Sequence, residues 1–261
     1  MNFRFHILGS SSSGNCALLV TPRSRVLIDA GFSARRIKQA LNKLGEDVAN
    51  IDAVFITHEH CDHIEGIPGL ARGERIVFFA NSETARAVLA TCAGARPRWR
   101  IFETGSSFVF QDIAVSAFSI PHDAADPVGY TFTVEDNATV RTLAWVTDLG
   151  HVPQLVREKI RSADCLVLES NYDAGLLEKS PRPPSLKQRI RGRHGHLSNE
   201  LAQELLMTLD SARLRHVFLA HLSRECNSPA LVEAALAPVR ALRADCRFTV
   251  VPPDAAAPLS L

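Results

Sequence analysis

Ala53-Val54-Phe55-Ile56-Thr57-His58-Glu59-His60-Cys61-Asp62-His63 is an apolar run that breaks without warning into metal-seeking side chains. A short apolar stretch of this kind reads as a buried strand. Side chains two apart on an extended segment point the same way, so His58 and His60 can face one ion. Asp62 and His63, adjacent where the chain turns into a helix, can reach a second ion beside it.

Outward from this stretch the pattern repeats. Val115 to Pro121 ends in His122, Leu143 to Thr147 in Asp148, and Val217 to Ala220 in His221. Open α/β sheets hold ligands just beyond the carboxyl ends of their strands. Together the positions supply five imidazoles and two carboxylates, a donor set for two ions. Imidazole with few carboxylates suits zinc, iron or manganese better than calcium or magnesium. A lone histidine is more often a surface or satisfied core residue, and His6, His151, His194 and His216 are read that way. Cys61 lies inside the cluster, but its neighbours already fill the coordination expected there.

The rest of the chain alternates strand and helix. Phe3 to Leu8 reads as an edge strand, Gly9 to Asn15 as a hairpin loop, and Val26 to Ile28 as a strand ending in Asp29. Ser33 caps a helix with Ile37, Leu41 and Leu44 on one face, stopped by Gly45. Ser106 to Val134 has the turn-separated pattern of antiparallel strands. Cys165-Leu-Val-Leu-Glu169-Ser170 is a further buried strand with polar residues at its exit. Ser198 caps a helix that turns Leu201, Leu205, Leu206 and Leu209 inward, and Ser228-Pro229 starts the last helix. Mixed strands with helices outside imply a layered α/β sandwich. One domain spans residues 1–251, and Pro252 to Leu261 forms a mobile tail.

The 261 residues are 46% hydrophobic and 22% charged with a net charge of +1, ordinary for a globular protein. No apolar run approaches the roughly 20 residues of a membrane span. Met1 to Ser11 lacks the apolar centre of a secretory signal. Six scattered cysteines without a Cys-x-x-Cys pair fit free thiols in a reducing cytoplasm. Charge is concentrated locally: Lys179 to His196 holds six Lys or Arg residues (179, 182, 187, 189, 191, 193) and no acid. A solvated helix face is the commonest meaning of such a run. Here it abuts the proposed site, so Lys187, Arg189, Arg191 and Arg193 are expected to track a phosphate backbone.

The string Thr57 to His63 resembles the signature of the metallo-β-lactamase fold superfamily. Gly9 to Asn15, Pro121 to Gly129, Leu168 to Asn171, Gly195 to Glu200 and Leu219 to Ser223 narrow the likeness to the WalJ/YycJ family, bacterial members regarded as DNA exonucleases. The resemblance runs to about residue 251. It implies an αββα sandwich of two mixed sheets with outer helices. One ion would sit on His58, His60 and His122, the other on Asp62, His63 and His221, with Asp148 bridging. Asp29 would steady the loop that carries the histidines. Tyr172 and Cys226 depart from the expected His and Asn, and both are expected to line the substrate groove.

The expected activity is phosphodiester hydrolysis by a metal-held hydroxide, in a cytoplasmic DNA exonuclease running 5′ to 3′ with two divalent ions, zinc, manganese or iron. Asp62 and His196 are expected to act in the reaction, His196 as general acid from a position just before a helix start. Ser198 and Asn199 beside it are expected substrate contacts. DNA is the expected partner and a homodimer the expected assembly. A phosphodiesterase for small cyclic or nucleotide substrates is the alternative, and carbonyl-ester or lactam hydrolysis a more distant one. A regulatory protein with purely structural zinc would need a closed tetrahedral site instead.

Overall fold

Residues 3–72, 75–92, 94–136, 139–253 and 259–260 are described by the computed structural model. Strands β1 (Arg4–Ser11), β2 (Gly14–Val20), β3 (Arg25–Ile28), β4 (Ala53–Phe55), β5 (Val77–Ala80) and β6 (Arg98–Ile101) stand side by side in that order. The first three pair antiparallel, and β3 to β6 run parallel. Helices α1 (Ala34–Lys43), α2 (Cys61–Ile64), α3 (Ile67–Leu70) and α4 (Ser82–Thr91) belong to this half.

The second sheet holds β7 (Ser107–Phe110), β8 (Ile113–Ser119), β9 (Val128–Asp136), β10 (Thr139–Val146), β11 (Cys165–Glu169), β12 (His216–Ala220) and β13 (Arg247–Val250). Strands β7 to β9 form the antiparallel meander expected over Ser106 to Val134, β10 extends it with a further antiparallel pairing, and β10 to β13 run parallel. Helices α5 (Gln154–Ile160), α6 (Ala174–Lys179), α7 (Pro184–Arg191), α8 (Asn199–Thr208) and α9 (Pro229–Leu242) complete the chain.

The continuous apolar runs follow from burial on both faces of each sheet. Phe55 faces the opposite sheet, stacking on Phe79 of the neighbouring strand β5 at 4.6 Å and meeting Phe132 of β9 edge-on at 5.2 Å. Its neighbour Val54 points outward into the layer with Ile37 and Leu41 of α1. In the second sheet Val167 faces inward while Leu166 and Leu168 meet α5, α8 and α9. The result is the αββα sandwich.

Several expectations shift. Gly9 to Asn15 is mostly strand: β1 and β2 pair as far as Ser11 opposite Gly14, leaving Ser12 and Ser13 as the turn. The expected mobile tail returns to the sheet as β14 (Leu259–Ser260), antiparallel to β1, so β1 is not an edge. Residues 254–258 and 261 of that tail, and Met1 and Asn2 of the opening stretch, lie outside the described residues. In α8 the inward stripe is Ala202, Leu205, Leu206 and Leu209, the i, i+3, i+4, i+7 pattern, while Leu201 is 38% exposed. His216 begins β12 rather than preceding it, and is satisfied by Thr249 and stacked on Phe218. Among the described residues no helix is long and apolar enough to cross a membrane.

Candidate metal centre

The carboxyl ends of β3, β4, β10, β11 and β12 open on one rim, and the chain bends sharply there. Asp29, Asp148 and His221 follow β3, β10 and β12 with φ of 57°, 61° and 57°. The left-handed region costs a non-glycine residue about 1–3 kcal/mol and clusters at functional sites. Two ties hold the His58 loop against the second sheet: Tyr130 Oη donates to Ile56 O at 2.6 Å, and Val128 N to Thr57 O at 3.1 Å. Glycine is required at position 31, because a Cβ there would lie 1.6 Å from Asp62 O. That close approach sets α2 against the loop after β3.

The structure brings the expected ligand residues together in two sets. His58, His60 and His122 place donor atoms within 4.8 Å of one another, and so do Asp62, His63 and His221. His60 Nδ1 lies 3.1 Å from His58 Nε2 and 3.3 Å from His122 Nε2. Asp62 Oδ2 lies 3.4 Å from His221 Nε2 and 3.5 Å from His63 Nε2. Asp148 stands between the sets, with Oδ2 3.3 Å from His63 Nε2 and Oδ1 3.9 Å from His122 Nε2. That Oδ2 is buried and makes no hydrogen bond among the described residues. A buried carboxylate oxygen without a donor is costly unless a cation meets it. Together with the imidazole-rich set, this fits divalent metal.

Asp29 is fully buried under His63. Its Oδ2 lies 2.8 Å from His63 Nδ1, while Oδ1 accepts from Thr57 N at 2.8 Å. This fixes the tautomer that leaves His63 Nε2 for a ligand role. Burial, then the charges of neighbouring imidazoles His63, His122 and His60, pushes the His58 ring well below its usual pKa, which keeps a lone pair available. Asp62 stays ionised: burial opposes the charge, but His63 and His221 outweigh it.

Sequence reasoning missed Glu169. It is fully buried at the end of β11, and Oε1 lies 2.8 Å from His196 Nδ1 and 2.7 Å from His221 Nδ1. Oε2 accepts from Leu149 N and Leu197 N, each at 3.0 Å. The signal was present, since Glu169 ends an apolar strand as His58 and Asp148 do. Burial would strip the proton from His196, but the Glu169 charge outweighs it and raises the pKa. His221 is pushed up to about 10 as Asp148, Asp62 and Glu169 together override burial. Asn15, with Nδ2 3.1 Å from His63 Nε2, and Asn171, donating to His221 O at 2.8 Å, were also missed. Each ends a string that carries the family resemblance, Gly9 to Asn15 and Leu168 to Asn171, but neither was given a role there.

A cavity of about 230 Å³ opens over the centre, its lining including His60, Asp62, His196, Arg182 and Arg189. The basic run divides. Arg189 reaches this cavity, whereas Lys187 bonds Glu178 O, Arg191 pairs with Glu178 and Arg193 holds His151. Ser198 and Asn199 do not line it. Ser198 caps α8, and Asn199 is buried against Ser170 and Asn227. Tyr172 and Cys226 do not line the groove either. They form a small buried cluster with Leu177 and Ile190, which seats α6 and α7 on the body. Cys61 is exposed and joins no convergent donor group among the described residues.

The family model described as "Beta-lactamase superfamily domain" matches residues 24–222. The exodeoxyribonuclease WalJ of Streptococcus pneumoniae serotype 2 is 35% identical over 232 residues, covering 87% of this chain and 84% of that protein. The exodeoxyribonuclease YycJ of Bacillus anthracis is 32% identical over 240 residues, covering 92% and 89%. The metallo-β-lactamase fold protein YhfI of Bacillus subtilis superposes with a TM-score of 0.72 at 12% identity, covering 99% of each chain, a likeness of fold. The protein belongs to the β-lactamase superfamily and, within it, to the WalJ/YycJ family.

Proposed function

We propose that the protein is a cytoplasmic metal-dependent phosphodiesterase that shortens DNA from a strand end, 5′ to 3′, with two zinc or manganese ions (iron also fits the donors) on the sets that meet at Asp148. Its relatives from S. pneumoniae and B. anthracis carry the name exodeoxyribonuclease. The observation that carries the reading is His196, held from behind by the buried Glu169 and facing the same cavity as members of both ligand sets. Paired divalent ions, when bound, lower the pKa of water and neutralise charge on phosphoryl oxygens.

The chain's own residues supply the rest. Glu169 occupies His196 Nδ1, which leaves Nε2 as the ring nitrogen free to serve the cavity. A His196 held protonated there donates to the sugar oxygen as its bond to phosphorus breaks, so no alkoxide is released. Arg182 and Arg189, paired with Glu225 and Asp123, bring positive charge to the cavity wall beside the flanking phosphate. With only two Trp and two Tyr, and most of the 13 Phe buried in the core, the chain suits backbone holding better than base reading.

The test is a side-by-side incubation of metal-analysed protein with end-labelled DNA, RNA, a small phosphodiester and a chromogenic β-lactam. Progressive shortening of the DNA, lost in His60→Ala together with bound metal, is the expected result. Turnover of the lactam with intact DNA, or full DNA digestion by His60→Ala, would overturn the reading.

A further inference from the structure

Residues 172–198, which carry α6 and α7, form a cap over the centre. Leu186 and Ile190 of α7 roof the cavity. The cap is clasped to the body on both flanks. On one side Arg189 Nε meets Asp123 Oδ2 at 2.5 Å, in the loop after β8 that also carries His122. On the other, Arg182 meets Glu225 at 3.0 Å and Asp173 N donates to Cys226 O at 2.8 Å, both in the loop after β12. Arg182, Arg189 and Asp123 all line the cavity, so the clasps are its side walls.

A strand cleaved at an internal position must enter and leave the site, which needs an opening on two sides. The α7 roof and the two clasped flanks narrow the approaches to this recess. Its volume of about 230 Å³ also falls below the roughly 300–1,000 Å³ of clefts that bury drug-sized ligands. Building on the nuclease reading above, we propose that the Asp123–Arg189 and Glu225–Arg182 clasps make the site blind, and thereby restrict it to a strand terminus. Asp123 and Glu225 are the specificity-determining residues. Removing these two carboxylates opens the walls and leaves both arginines to meet phosphate.

The experiment compares a covalently closed single-stranded DNA circle with the same DNA linearised, using metal-loaded wild type, Asp123→Ala/Glu225→Ala and Arg189→Ala. Bound metal is measured for each. Wild type should digest the linear form and leave the circle whole. The double variant should still digest linear DNA and nick the circle at least tenfold faster than wild type. Arg189→Ala breaks one clasp from the cap side, away from His122, and also removes a phosphate contact, so both of its rates should fall while its ratio of circle nicking to linear digestion rises at least tenfold. Circle nicking by wild type, or intact circles with both metal-replete variants while linear DNA is consumed, would overturn the inference and spare the nuclease reading. Wild type inert on both DNAs would overturn both.

Discussion

Replacing Glu169 by Gln keeps size and shape and removes one charge, at a position where four donors converge on one carboxylate. An amide offers a single acceptor oxygen. Backbone N–H groups cannot invert, so that oxygen stays with Leu149 and Leu197, and the NH₂ turns toward His196 Nδ1 and His221 Nδ1. Both imidazoles must then accept there and carry their proton on Nε2. For His221 that protonates the nitrogen facing Asp62, the one the ligand set needs. For His196 it removes the carboxylate that outweighs burial and keeps the ring charged.

Two losses follow. Weakened orientation of a ligand lowers metal affinity about 10–100-fold. Loss of the acid slows turnover about 10²–10⁴-fold, a barrier increase of ~2.7–5.5 kcal/mol. The assay is kcat on end-labelled DNA at saturating metal, beside a p-nitrophenyl phosphodiester whose leaving group departs without a proton. The DNA rate should collapse and the p-nitrophenyl rate should hold within severalfold. Wild-type turnover should fall as pH rises through the raised His196 pKa, because only the protonated ring donates. A variant digesting DNA at the wild-type rate, or losing both substrates by one factor, would refute the acid role.

Gly31→Ala drives a methyl group into the Asp62 backbone, 1.6 Å from its carbonyl oxygen. Displacement of Asp62 should lower bound metal, measured by elemental analysis, and a fully metallated, fully active variant would contradict the packing argument. Glu46 is a surface-independent test of electrostatics. Burial would raise its pKa, but hydrogen bonds from Arg25 and Arg4, at 2.8 and 2.7 Å, outweigh burial and hold it below its usual value of 4.5. The stability it contributes is therefore complete above pH 4.5 and is lost as pH falls through the lower folded value. Urea unfolding of Glu46→Gln should show a flatter acid-side profile, and an unchanged slope would contradict the pairing.

How much was legible in the sequence depended on whether a residue's role is set locally. The apolar runs closing on His58, Asp148 and His221 were readable because a strand buried on both faces is largely apolar and its polar exit stands out, whereas β8 before His122 alternates, with Ala114 and Ser119 exposed. Donor type then fixed the chemistry those exits could serve. The caps at Ser33, Ser198 and Ser228 were readable for the same local reason. What only tertiary structure decided is which distant polar groups meet. Glu169 bonds His196 and His221, 27 and 52 residues away. Asn15 of β2 reaches His63 of α2 across 48 residues, and Asp123 holds Arg189 across 66. The basic run looked like a track because sequence displays charges without their partners; folding supplied Glu178, His151 and Asp123 and left Arg182 and Arg189 at the cavity. Burial patterns follow from nearest neighbours along the chain, whereas charge is neutralised through space, and only the fold says by what.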